Sequence, residues 1–446
     1  MRSCESDPCL SRDRTCRIAS PCSIMATEKQ MTSRERLRKA IQHQETDRPP
    51  LDLGSTLVTG IQASAYARLK SALGISGGAV RVYDPYQMLA EVEEPVKKAL
   101  GVDTFGIQLP TTMFGYRNEN WKPFTMFDGT KVEISGHFEY DVLPSGDIVQ
   151  YPKGDRSAPP SGRMPKDGYY FDTIVRQEPI DDEKLDPREW VEQTYSLYTD
   201  EELKFIETTS RSMYEGSEYG LVGNFWGAGF GDIATVPGPA VLHPKGIRDP
   251  EEWYVSTLLR KDYVKEIFRL QLEIQMKNLV MYRQAVGDRI DVVIMSGTDF
   301  GSQNGPFIAP EAYREIFKPL HKTMNDWVHA NTKWKTFYHT CGSIIAYLDD
   351  FAEAGIDILN PVQISAAGMS PEALKGTYGD TFVFWGGAVD AQHTLAFGTA
   401  ARVRTETLHN RNIFAKGGGY VFNNAHNIQA TVPTENMLAM LQSVKG

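Results

Sequence analysis

Short runs of β-branched and aromatic residues alternate with longer amphipathic stretches along most of the chain, a rhythm that predicts a parallel sheet connected by crossover helices. Eight runs read as strands: Pro50 to Gly54, Val102 to Gln108, Gly220 to Trp226, Asp291 to Met295, Lys335 to His339, Asp357 to Pro361, Thr381 to Trp385 and Gly419 to Asn423. Eight strands close a barrel, so the expected fold is α/β, a (β/α)8 TIM barrel. The stretches between them include "AVRVYDPYQMLAEVEEPVKKALG", "RKDYVKEIFRLQLEIQMKNLVMYRQAVG", "APEAYREIFKPLHKTMNDWVHANT" and "SIIAYLDDFAEAG". All four read as helices, several closed by glycine. Ahead of the first strand, "TSRERLRKAIQHQETDRPP" predicts a lid or entry helix opened by Thr32 or Ser33, with Glu35 in its first turn, and closed before Pro49 and Pro50.

One segment breaks the rhythm. Residues 115–175 carry Asp128-Gly129 and Ser145-Gly146-Asp147 between alternating runs, which are hairpin signals. An antiparallel hairpin insertion after strand two, over or beside the barrel mouth, is expected, and residues 176–216 supply helices before strand three. The domain organisation follows: an N-terminal extension over residues 1–30 and a single barrel domain over residues 31–446.

Composition narrows the class. With 41% hydrophobic and 23% charged residues, 446 residues can build a large ordered core. The net charge of -10 is spread along the chain, and no block of Lys and Arg is interleaved with aromatics, which argues against nucleic acid. No window approaches the ~18 uninterrupted apolar residues of a membrane span, and no signal-peptide core is visible, so a cytoplasmic protein is expected. Cys4, Cys9, Cys16 and Cys22 crowd the first 22 residues and Cys341 stands alone in the remainder, so the body has no disulfide framework. The Ser- and Arg-rich leading stretch reads as an unstructured extension or a misassigned start, because its cysteines match no metal spacing.

In a parallel barrel the chemistry sits at strand C-termini and the loops that follow. Those positions hold Asp52 and Ser55, then Gln108 and Thr111, then Asn224 and Trp226, then Asp299 and Gln303 in "SGTDFGSQNGP". Next come "YHTCGS", Asn360 and Gln363, Asp390 in "GGAVDAQ", and Asn424 and His426 in "NNAHNIQ". His339-x-Cys341 leaves a strand end with two metal-competent side chains on one side. His426 from the closing strand is the candidate third ligand of a zinc site with an open position. Asp299 could be a fourth ligand, an orienting group or a base. Taken alone, H-x-C reads more plainly as a buried thiol beside a satisfied histidine. The strand-end loops are nearly free of Lys and Arg, with Arg117 the nearest, whereas amides, hydroxyls, Trp226, Trp385 and several Phe are plentiful. Such a mouth suits a small, neutral, partly apolar ligand.

The ordered series "TDFGSQNGPFIAPEAYREIFKPLHK", "YHTCGSI", "AGIDILNPVQ", "YGDTFVFWGGAVD" and "GGGYVFNNAHNIQATVPTENMLAM" resembles the uroporphyrinogen decarboxylase superfamily. The resemblance spans residues 31–446 and is strongest after residue 285. It implies either the decarboxylase of haem biosynthesis or a corrinoid-linked methyltransferase. The decarboxylase's M-R-Q-A-G-R-Y stretch, whose arginines meet substrate carboxylates, has no counterpart where this chain reads "PPLDLGSTLVTG". The methyltransferase branch is the nearer one, since its members carry H-x-C plus a late third ligand on zinc. Thiol-methylating members place a Cys where this chain has His426. One thiolate and two imidazoles leave the site net positive, which favours activating an oxygen or nitrogen leaving group.

The resemblance therefore implies a zinc enzyme that removes a methyl group from a small methoxylated or methylated substrate and passes it to cobalt. No corrinoid-binding D-x-H-x-x-G occurs in the chain, so the cobalamin is expected on a partner corrinoid protein. Asp299 and Gln303 are the expected catalytic residues. Asn224, Trp226, Asn360, Gln363, Asp390 and Asn424 are expected to bind substrate, and His339, Cys341 and His426 to bind the metal. A metal-free decarboxylase or a non-catalytic binding protein on the same barrel is the alternative, and a homodimer is compatible with the pattern.

Overall fold

The computed structural model describes residues 31–445. Seven strands form one parallel sheet: β2 (Thr104–Ile107), β3 (Gly220–Asn224), β4 (Val292–Ser296), β5 (Lys335–His339), β6 (Ile358–Asn360), β7 (Val383–Trp385) and β8 (Tyr420–Val421), paired in chain order. The eighth member, β1, is a single parallel bridge between Leu51 and Phe422. Around that bridge the Asp52 amide donates to the Phe422 carbonyl (3.0 Å) and the Phe422 amide to Pro50 (2.8 Å). On the other side the Asp103 amide donates to the Leu51 carbonyl (2.8 Å), so β1 links the two sheet edges. The architecture is that of a curled parallel sheet closed in TIM-barrel fashion. Pro49 and Pro50 have no N–H to donate, which is why β1 is so short.

Side chains alternate across this sheet. Val222, Ile294, Phe337, Ile358, Val383, Trp385 and Val421 fill the barrel interior, whereas Leu221, Val293, Tyr338, Leu359, Phe384 and Tyr420 face the surrounding helices. The long helix Lys261–Val286 and the segment 310–331 belong to that outer layer. In the latter, a π-helical turn at Tyr313–Phe317 precedes Pro319, whose ring cannot coexist with the carbonyl four residues upstream in a regular helix.

Helix α1 (Ser33–Ala40) opens with a capping box between Thr32 and Glu35. It is not a lid. Ser33 and Arg36 bind Asp103, Arg38 binds Asp291, and the Gly419 amide donates to the Ala40 carbonyl. Each partner immediately precedes a strand, so α1 closes the N-terminal end of the barrel and pushes Leu37 and Ile41 into its interior.

The insertion is antiparallel, as its turns predict. Lys122–Thr125 pairs with Lys131–Ile134 through Asp128-Gly129, and a four-stranded sheet spans Tyr140 to Thr173. The helical reading of "AVRVYDPYQMLAEVEEPVKKALG" is corrected: only Glu94–Leu100 is helical. Val82–Asp84 and Leu89–Ala90 form a tight antiparallel pair instead, turned by Pro85 and by Asp84, which accepts from the Tyr86 and Gln87 amides. The N-terminal extension and its four cysteines lie outside the described residues. Among the described residues no helix is long and apolar enough to cross a membrane.

Candidate metal centre and cavity

The turn after β5 holds the first two metal-competent residues, and the loops after β4 and β6 clamp it. Thr340 accepts from the Phe300 amide (2.9 Å), the Cys341 amide donates to Asp299 Oδ1 (2.6 Å), and the Gly342 amide donates to Gln363 Oε1 (2.9 Å). Gly342 sits at φ +80°, and a Cβ there would lie 2.2 Å from the Gly301 carbonyl oxygen, so only glycine lets the β4 and β5 loops cross this closely. His426 rides on the loop after β8. Asn424 Nδ2 donates to the His426 carbonyl (3.0 Å), while Asn427 binds the Gly60 amide and the Leu57 carbonyl, tying that loop to β1.

These loops bring His339, Cys341 and His426 together, with one donor atom from each lying within 4.8 Å of the others. Cys341 Sγ is 3.3 Å from His339 Nε2, and the two imidazole rings meet edge to face at 5.1 Å. Ligands of one tetrahedral zinc stand roughly 3.5 Å apart, given bonds of about 2.0–2.3 Å. The trio is thus about an ångström looser than a filled site.

The donor chemistry suits a divalent cation. Burial lowers His339 to about 4, and burial together with His339 lowers His426 to about 3, so both rings are neutral at neutral pH. Asn360 Oδ1 takes the His339 Nδ1 proton (2.5 Å) and its amide donates to the Trp385 carbonyl (2.8 Å), leaving His339 Nε2 free to ligate. Burial and the neighbouring Asp299 push the Cys341 thiol well up, so it needs a cation to become a thiolate. His426 is the least preset donor. Its Nδ1 accepts from the Asn427 amide (2.7 Å), which places the neutral ring's proton on Nε2, and that nitrogen ligates only after losing it.

Both histidines of the trio border a cavity of about 1030 Å³ between the barrel mouth and the insertion, lined among others by Asp299, Trp226, Gln108, Tyr83, His339 and His426. Asp299 is half-buried, and burial raises its pKa. Several expected substrate residues lie elsewhere. Asn224 is buried and donates to the Ser55 carbonyl; Asn360 backs His339; Asn424 holds the His426 loop. Gln303 and Gln363 bind each other (2.8 Å) and brace the loops after β4 and β6, while Asp390 folds back onto the Gln392 and His393 amides. Trp385 is fully buried in the barrel core, donating to Asp52 (2.9 Å), rather than standing at the mouth.

Among the cavity acids that escaped the sequence reading, two have a raised pKa. Asp84 and Asp232 both line the wall, and burial lifts each to about 6. Neither follows a barrel strand directly. Their only sequence signal is an acid beside aromatic residues in "VYDPY" and "GFGDI".

Residues 249–446, the stretch that carries β4 to β8 and all three metal-competent residues, match the family model described as uroporphyrinogen decarboxylase (URO-D). That stretch is similar to the URO-D family over less than half of the chain. Among solved structures, a methyltransferase from Methanosarcina mazei superposes with a TM-score of 0.51 at 14% sequence identity, covering 93% of this chain and 98% of that one. At that identity the likeness speaks for the fold. No curated protein matches the chain. The matched stretch holds Asp299, His339, Cys341 and His426, whereas Tyr83, Asp84 and Gln108 of the cavity lining come from residues before it.

Proposed function

We propose that the protein is a zinc-dependent methyltransferase that moves a methyl group from a small methylated or methoxylated substrate to the cobalt of a separate corrinoid protein. The observation that carries this reading is the convergence of His339, Cys341 and His426, with both histidines on the lining of a large, partly aromatic cavity. The fold likeness to a methyltransferase supports the same reading. His339, Cys341 and His426 would hold the zinc, which supplies Lewis acidity toward the methyl-bearing heteroatom.

The chain's own groups do the rest. Asn360 fixes the His339 ring, and Asp299 fixes the turn at Cys341 through its amide. Asp299 also faces the cavity beside the donors, with a pKa raised by burial, and so can hold a proton for a departing oxygen or nitrogen. Trp226 and Tyr83 cover the cavity wall and limit water around the reacting methyl. The corrinoid partner docks over the cavity opening, where the antiparallel insertion offers a surface.

A URO-D-type decarboxylation is less compatible with this wall. Asp84, Asp232 and Asp299 have no ion-pair partner among the described residues and would repel a polycarboxylate. The test is to incubate zinc-loaded protein with free cob(I)alamin and a panel of methylated ethers and amines. Substrate-dependent loss of the cob(I)alamin spectrum is expected, and none in Cys341→Ala. Loss that persists unchanged in that variant would refute the proposal.

A further inference from the structure

Asp232, at the end of the loop after β3, uses one carboxylate oxygen locally: Oδ1 accepts from the Ala234 amide (2.9 Å). Oδ2 has no hydrogen-bond partner among the described residues, and it faces Gly297 at the end of β4. A Cβ on Gly297 would lie 2.9 Å from Asp232 Oδ2 and 3.1 Å from the six-membered ring of Trp226. Asp232 Oδ2 and the six-membered ring of Trp226 therefore both close in on Gly297 at the cavity wall, where any side chain would crowd them. Gln271, also on the wall and 1% exposed, leaves its Oε1 without a partner. Asp84 adds a third acceptor on the same cavity, 1% exposed and held only by turn amides and Gln87.

The two cations on this wall do not neutralise these groups. The Lys97 ammonium lies over the Phe105 ring at 4.3 Å, and Arg117 pairs with Glu201 at 2.5 Å. Buried carboxylates without a counter-ion are costly, which is why burial holds Asp84 and Asp232 at about 6. A carboxylate beside an indole, with a spare buried acceptor, is complementary to one ligand chemistry.

We propose that the cavity binds an ammonium cation, seated beside Asp232 and Trp226, and that the substrate therefore carries a cationic ammonium group apart from the methyl-bearing oxygen or nitrogen rather than being neutral throughout. The identity of that ligand as substrate rests on the methyltransferase reading. The binding site itself does not.

The probes are choline and its uncharged isostere 3,3-dimethyl-1-butanol, titrated calorimetrically into the full chain. Choline is expected to bind at least tenfold more tightly than the isostere. Asp232→Asn and Trp226→Leu are each expected to weaken choline at least tenfold and to leave the isostere within about twofold, with circular dichroism melts confirming the fold. Equal affinity for the two probes, or choline affinity unchanged in the folded Asp232→Asn protein, overturns the proposal. Because the probes need neither zinc nor cobalt, cation binding without any methyl transfer would count against the proposed function and leave this site standing.

Discussion

Replacing Asn360 by Ala removes the acceptor that orients His339 without touching a metal-competent atom. In the wild-type chain the carboxamide is 1% exposed, takes the His339 Nδ1 proton at 2.5 Å and donates to the Trp385 carbonyl at 2.8 Å. Partners of this kind change metal affinity by about 10- to 100-fold, or about 1.4 to 2.7 kcal/mol. Without Asn360 the neutral ring can carry its proton on Nε2, the nitrogen 3.3 Å from Cys341 Sγ, and that proton must then leave before ligation. Two buried groups also lose their partner, costing about 1–3 kcal/mol each in fold stability. The two effects separate experimentally: chelator competition gives zinc affinity, and urea titration of the apo protein gives stability. Asn360→Asp keeps the acceptor and should retain affinity within a few-fold while still losing stability. Unchanged zinc affinity in Asn360→Ala, or equal losses in the Ala and Asp variants, would refute this role.

Three further outcomes follow from the fold. Asp103 accepts from Arg36 (2.6 Å), Arg48 (2.6 Å) and the Leu51 amide (2.8 Å) with its side chain fully buried, so Asp103→Ala should destabilise by about 3–5 kcal/mol in urea titration. A Cβ on Gly106 would lie 1.9 Å from the Ser55 carbonyl oxygen, backbone against backbone, so Gly106→Ala should fail to give soluble folded protein; a wild-type melting curve would contradict this. Burial alone would raise Asp357, but His329 (2.7 Å), Lys335 (2.8 Å) and the Thr336 amide (2.9 Å) hold it below the usual carboxylate range. Its contribution is present above the unfolded value of about 3.9 and is lost as pH falls through the lower folded value. Stability measured between about pH 6 and pH 3 should therefore fall less steeply in Asp357→Asn than in wild type.

The strands were legible because each is a short, nearly continuous apolar run, which is how a strand buried on both faces must read. Lys335–His339 was bounded to the residue, whereas β1 was overestimated because its flanking prolines cannot extend a ladder. His339, Cys341 and His426 were legible because metal donors at the C-terminal ends of different strands have only the barrel axis to converge on. Gln303, Gln363 and Asp390 show the limit of that logic: proximity to the mouth is set by the strand, but the direction of a loop side chain is set by the next loop's amides. Asp84 and Asp232 were illegible for the converse reason. They enter the cavity through a hairpin and a long loop whose placement depends on tertiary packing, and no local pattern records it.

The central claim is that three side chains from two distant loops hold one zinc ion. Mass-spectrometric metal analysis of the purified chain, dialysed against low micromolar zinc, tests it most directly. About one zinc per chain is predicted for wild type, and none for a folded Cys341→Ala, His426→Ala double variant. Wild-type protein that retains no zinc, or a double variant that retains a full equivalent, would contradict it.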